Sequence, residues 1–434
     1  MMNERNTAMK SKRSVLAALA TTTALLLSGC SATSGASSGP VTVTMWARAA
    51  TAPVTKALVS KFNASQKKVK VVLTVLPLNQ EDAKFAAAVR SGSVPDIFGM
   101  NDISIPQYVR TGALRSLTDF EGGLSYKSAL NAGQVNLATY NNQVYAIPLM
   151  LDLSVLWYNK TLFSKAGLDP AKAPSSASEI IADAKKISAL GGGVKGYSFA
   201  GNCGGCNVFT IAPMLYAAKE YDVTGPVGKQ SANIQNNAEL KRVLTMLRTM
   251  QTDGSLAPGD KTEDGSTFGA DFLSGKVGIT TNGLGTVLNG KRAAFDLGVG
   301  GIPDTQGTGV STFSGGDEFV LPSAGQHAAE AEQFIKFALE PAQQNSYPKY
   351  GYTPVRTDVL TPAFSTANPD FAVALNAAKT GYAPNTTAFQ SLYSNSGPWG
   401  PIFQTATFGG DITGALKTGQ AGFESILKTA NSSK

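Results

Sequence analysis

The chain has 434 residues, 37 Lys and Arg against 30 Asp and Glu, and a single histidine. A surplus of +7 with no Lys/Arg cluster gives no footing for nucleic-acid binding, and one histidine, His327, argues against a His-dependent catalytic triad. Charged residues make up only 15% while Gly, Ser, Thr and Asn abound, which suits a folded protein outside the cytoplasm; the length allows two domains of ordinary size.

In chain order, the first segment has the parts of an export signal. Arg5, Lys10, Lys12 and Arg13 precede the apolar run SVLAALATTTALLLS, and LSGC occupies residues 27–30. The run falls short of the ~20 residues that span a bilayer as a helix. Leu-Ser-Gly-Cys resembles the bacterial lipobox, in which cleavage leaves a lipidated cysteine at the new N-terminus. Residues 1–29 are therefore expected to be removed and Cys30 to hold the chain to the outer face of the cell membrane. Residues 30–40, rich in Ser and Gly, read as a flexible tether. Four basic residues and one acidic residue leave with the signal, which lowers the net charge to +4.

Beyond the tether, VTVTMWA (residues 41–47) alternates as a strand, Val54, Leu58 and Phe62 recur at helical spacing, and VKVVLTVLP (residues 69–77) alternates again. That is a strand–helix–strand unit of a parallel or mixed sheet. KFAAAVRSG reads as a helix stopped by Gly92, and VPDIFGM as a short buried strand. In residues 174–193 the Ser176–Glu179 spacing predicts a capping box, Ile180, Ala184 and Ile187 one helix face, and Gly191 the stop. Leu240, Val243, Leu244 and Leu247 predict another amphipathic helix, and Ala331, Phe334, Ile335 and Ala338 one more, ended by Pro341. Strands and helices alternate throughout, so the fold class is α/β.

GNCGGCNVFT (residues 201–210) holds the two cysteines that remain if Cys30 is lipidated. Zinc would need about four ligands, and the histidine is far away in sequence. A redox pair ordinarily opens a helix after a strand, whereas Gly204-Gly205 reads as freedom to close a tight loop. A structural disulfide between Cys203 and Cys206 is the expectation in an oxidising compartment, with a redox pair and a metal clip as the other readings. So short a ring stabilises by only about 2 kcal/mol in the loop-entropy view.

Six segments occur in a recognisable order: SGSVPDIF (91–98), TGALRSL (111–117), residues 141–168, FLSGKVGITTNG (272–283), FSGGDEFVLP (313–322) and residues 329–356. With them the chain resembles the family 1 extracellular solute-binding proteins of ABC importers, in their carbohydrate-binding, maltose-binding-protein-like group. Two positions depart from the family pattern: Ala177 stands where a Trp is usual, and Leu284 where many members carry an aromatic that would face a sugar.

The resemblance implies a type II, two-lobed periplasmic-binding-protein-like fold with a ligand cleft between the lobes. Residues 41–150 plus 314–352 would form lobe 1, and residues 151–313 plus 353–434 lobe 2. Three hinge crossings would lie near residues 148–152, 313–316 and 352–356. The implied function is capture of a mono- or oligosaccharide and delivery to ABC permease subunits by hinge closure, as a monomer, without catalysis, cofactor, metal or nucleic acid. Two alternatives stand beside it. One is a binder of a glycerol phosphodiester or other small polar solute, through Arg48 or Arg356. The other is an exported glycoside hydrolase with Asp152 and Asp317 flanking the bond.

A sugar site needs carboxylates, amides and aromatic faces in a cleft. Trp399, flanked by Gly397, Pro398, Gly400 and Pro401 and so expected on irregular backbone, matches a sugar-stacking position of the group. Asp152 follows an apolar run at the first crossing, and Asp317 follows Gly315-Gly316 at the second. Arg48 lies at the end of the first strand; Asn101 and Asp102 follow the VPDIFGM strand, where they could instead cap the next helix; Asn282 precedes Gly283. Asn207 lies in the cysteine segment, where by similarity a bridge would pre-order Asn202, Asn207 and Phe209 on the cleft wall. Trp46 and Trp157 are expected in the core.

Overall fold

β1 (Val41–Arg48), α1 (Ala52–Ser65) and β2 (Val69–Leu76) form the expected first unit, with β1 and β2 parallel from Val41↔Val69 to Arg48↔Leu76. Alternation sorts the faces: Val43, Met45 and Ala47 are buried while Thr42 and Thr44 are exposed, and α1 turns Val54, Leu58 and Phe62 inward. After α2 (Glu81–Ser91), β3 (Ile97–Asn101) joins β1, again in parallel.

The structure, a computed structural model, describes residues 39–77, 80–290 and 295–432; Cys30, the expected signal and most of the tether lie outside the described residues. From Pro40 onward the chain is one compact unit. Among the described residues its main sheet has eight strands. The later ones are β4 (Ala146–Asn159), β5 (Lys195–Ser198), β6 (Val277–Gly283), β7 (Leu297–Gly300) and β8 (Ser314–Val320). The order is β2-β1-β3-β8-β4-β6-β5, with β7 on the remaining edge of β4.

The long strand β4 organises the site. Residues 146–153 pair with β8, and residues 154–159 pair with β6 and β7, all antiparallel. Thirteen of its fourteen residues are buried, Asp152 excepted, as expected of a strand covered on both faces. Trp157 is fully buried within it.

The helices cover both faces. Ser176 Oγ accepts the Glu179 N–H (3.3 Å) to open α3 (Ala177–Ser188). The reciprocal half of the capping box differs from expectation: the Glu179 carboxylate takes the Ser175 N–H (2.8 Å) and Lys172 (3.0 Å) instead of the Ser176 N–H. Then come α4 (Gly204–Thr210), α5 (Ala238–Thr252) and α6 (Ala328–Ala338), the last two burying the predicted apolar faces. Two short helices, α7 (Phe389–Tyr393) and α8 (Trp399–Phe403), follow near the C-terminal end.

Candidate ligand-binding cleft

The three predicted crossing segments lie side by side. Gly315 pairs with Asp152 and Gly316 with Leu151 across β8 and β4, while Leu151 and Thr353 exchange backbone hydrogen bonds of 3.1 and 3.0 Å. A Cβ at Gly316 would sit 2.0 Å from the Met150 carbonyl oxygen, so only glycine permits this approach.

Charged side chains collect where the segments meet. Arg48 Nη1 donates to Asp317 Oδ1 (2.6 Å) and Arg48 Nε to Glu81 Oε1 (3.1 Å); Thr51 Oγ1 donates to Asp317 Oδ2 (2.9 Å). Asp102 Oδ2 accepts the Gly316 N–H (2.7 Å), whereas its Oδ1 is buried without a partner. Both oxygens of buried Glu318 and Oδ1 of Asp152 also lack partners among the described residues.

Two adjoining cavities open at this cluster. The smaller, about 220 Å³, is lined by Arg48, Asn101, Asp152, Asp317 and Tyr352 together with Phe209, Phe313 and Phe389. The larger, about 810 Å³, reaches Glu81, Asp82, Asp264, Gln390 and Asn395 as well as both cysteines. They share Arg48, Asn101, Ile103, Gly205 and Phe389. Within the lining of the larger cavity, Gln390 Nε2 donates to Asp82 Oδ2 (2.9 Å). Carboxylates, amides and aromatic faces therefore line one partly open space.

Of the residues singled out from sequence, Arg48, Asn101, Asp152 and Asp317 line this space. Asp102 turns back onto Gly316. Asn282 is buried, its Oδ1 taking the Gly283 N–H (2.7 Å), and lines neither cavity. Asn207 is buried in α4 with both amide atoms unpartnered, beside Gly205, Val208 and Phe209, which do line the smaller cavity. Trp399 is a correction. It sits fully buried in α8, packed against Tyr393, Phe403 and Phe423 at 5.9, 5.1 and 5.9 Å between ring centroids, and lines neither cavity. Trp46, by contrast, is only half-buried, edge-on to Phe98. Arg356 points away from the cleft: it bonds Asp358 and the Leu339 carbonyl and lies over the Tyr126 ring.

The cysteine segment also differs from the loop expected. Cys203 and Cys206 are bonded to each other, Cys203 is the N-cap of α4, and α4 follows β5 closely. This is the strand-then-helix placement that the sequence reading associated with redox pairs.

Glu81, Asp82, Asp264, Phe389, Gln390 and Asn395 escaped the sequence reading. Glu81 and Asp82 open a helix, where acidic residues are ordinary macrodipole partners, and the 389–395 stretch has no periodicity to mark it.

Burial raises the Asp152 carboxyl to about 7, with Asp317 adding to the rise and Arg48 opposing it. Burial and then Asp317 raise Asp102 to about 8; burial also raises Asp82 and Glu318. Raised carboxylates hold protons in the folded state that the unfolded chain releases near its ordinary pKa of about 4, so their contribution is lost as pH climbs through 7–8. Asp96 and Asp304, lowered by hydrogen bonds that outweigh burial, lose theirs only below about pH 4. The ligand-free protein is expected to melt at a higher temperature at pH 5.5 than at pH 8.5, read by differential scanning calorimetry. A melting temperature that climbs steadily toward pH 8.5 would contradict this charge assignment.

Comparison with known proteins places the chain. The profile of the bacterial extracellular solute-binding protein family matches residues 57–373. The diacetylchitobiose binding protein DasA of Streptomyces coelicolor is 25% identical over 308 residues, 69% of each chain. The sn-glycerol-3-phosphate-binding periplasmic protein UgpB of Agrobacterium fabrum is 26% identical over 324 residues, 70% of this chain and 71% of its own. An ABC transporter solute-binding protein from Thermotoga lettingae, solved with alpha-D-tagatose, superposes with a TM-score of 0.78 at 18% identity over 89% of this chain and all of its own. The fold is that of the type II periplasmic binding proteins.

Proposed function

The chain belongs to the bacterial extracellular solute-binding proteins, and from that membership we propose that it captures a saccharide between two lobes and delivers it to the membrane subunits of an ABC importer. The observation that carries this reading is the adjoining pair of cavities at the three crossing segments, walled by carboxylates, amides and aromatic rings. Relatives named for diacetylchitobiose and for multiple sugars support it.

In this reading residues 41–150 plus 314–352 make one lobe and residues 151–313 plus 353–434 the other. Arg48, Asn101, Asp152 and Asp317 meet the ligand, and the Asp82–Gln390 contact helps hold the lobes together. Binding favours the closed form through contacts made from both sides at once. The solute leaves unaltered, so the protein is a carrier, not a glycoside hydrolase. Cys30 carries the lipid that keeps it at the membrane, and it acts as a monomer. The Cys203–Cys206 bridge stiffens the wall around Gly205.

A thermal-shift screen of the purified protein against mono- and oligosaccharides, with glycerol phosphodiesters and sn-glycerol 3-phosphate included, tests the reading. A saturating sugar at 100 times its Kd should stabilise the fold by about 2.7 kcal/mol, with no product on prolonged incubation. Stabilisation by phosphate-bearing compounds alone would transfer the assignment to that class, and sugar cleavage would make it an enzyme.

A further inference from the structure

We propose that the cleft receives a positively charged group, so that the saccharide it carries is an amino sugar with a free ammonium rather than a neutral or acidic sugar. This deepens the carbohydrate reading and rests on it.

The lining itself is unbalanced. Glu81, Asp82 and Asp264 line the larger cavity and Asp152 and Asp317 the smaller, while among the described residues Arg48 is the one basic residue lining either. Nor is that guanidinium available to balance the rest: its Nη1 and Nε are committed to Asp317 and Glu81. A neutral sugar entering this space would displace water from carboxylates without bringing a counter-charge, and an anion would add to the imbalance.

Asp152 focuses the imbalance. It interrupts an otherwise buried strand, its Oδ1 is covered yet has no hydrogen-bond partner, and its side chain lines the smaller cavity. An ammonium supplies three donors and one positive charge, which is what a space lined by carboxylates lacks. Phe209, Phe313, Phe389 and Tyr352 wall the same cavity, and ring faces favour a cation over a hydroxyl of similar size. A bare metal ion does not fit, because among the described residues no three His, Cys, Asp or Glu side chains are placed to hold one.

The test uses matched sugars in isothermal titration calorimetry at about pH 7.5, above the value of about 7 to which burial raises Asp152. Glucosamine, galactosamine and the β-1,4-linked glucosamine disaccharide are each compared with their hydroxyl and N-acetyl twins. At least one amine-bearing sugar should bind about tenfold or more tightly than both twins, and Asp152→Asn should reduce that preference to about twofold or less. The wild-type comparison stands even if the variant does not fold. Equal or weaker binding of every amine than its twins overturns the proposal and leaves the carbohydrate reading intact. Absence of any sugar binding, with a linear diamine such as putrescine binding instead, overturns both.

Discussion

Trp399→Ala is expected to destabilise the protein by about 3–5 kcal/mol, the usual range for emptying a buried aromatic site, while leaving the ligand affinity of the folded protein within about threefold. The indole is fully buried and packs edge-on to Tyr393, Phe403 and Phe423, so its loss opens a cavity bounded by rings that cannot collapse together. Trp399→Phe keeps a ring in place and should lose less. Urea denaturation reads the stability, and titration at a temperature where the variant is folded reads the affinity. A folded variant that lost tenfold or more in affinity with little change in stability would return Trp399 to the ligand, where the family resemblance put it.

The reason for that misplacement is local. Gly397, Pro398, Gly400 and Pro401 read as irregular backbone, yet Pro398 is the N-cap and Pro401 lies in the first turn of α8, where a missing N–H breaks no intrahelical bond. Gly204 misled in the same way. Its lack of a side chain serves packing, since a Cβ there would lie 2.5 Å from the Tyr393 carbonyl oxygen, and the segment is helical instead of a tight loop.

Elements whose signal is periodic were legible: β1, α1, β2, α3, α5 and α6 follow their alternation or their 3.6-residue faces. Asp152 and Asp317 were legible too, because a carboxylate in an apolar run or behind two glycines needs a polar reason. Glu81, Asp82 and Asp264 were not, because an acidic residue in a polar stretch looks the same whether it faces solvent or a cleft. Only the tertiary pairing of the α2 start with α7, sealed by Asp82 and Gln390, shows the difference.

Asp317→Ala should have the other large effect. Asp317 is 1% exposed and holds both Arg48 and Thr51. Its removal leaves a guanidinium without its shortest partner and a buried hydroxyl with only its longer bond, 3.3 Å, to the Arg48 carbonyl. Breaking a buried ion pair from one side costs about 3–5 kcal/mol, while replacing both partners by apolar groups of similar size is often close to neutral. Arg48→Met combined with Asp317→Leu should therefore fall short of the sum of the two single losses by at least about 1 kcal/mol, the signature of coupled neighbours. The pair also sets the electrostatics of the cleft, because Asp317 keeps Arg48 from answering an incoming anion. In Asp317→Ala the released guanidinium should let sn-glycerol 3-phosphate bind measurably better than in the wild type, while sugar binding weakens as a lining carboxylate is lost. Strictly additive stability losses, together with unchanged phosphate binding, would mean that Arg48 and Asp317 act separately and that the cleft's selectivity is set elsewhere.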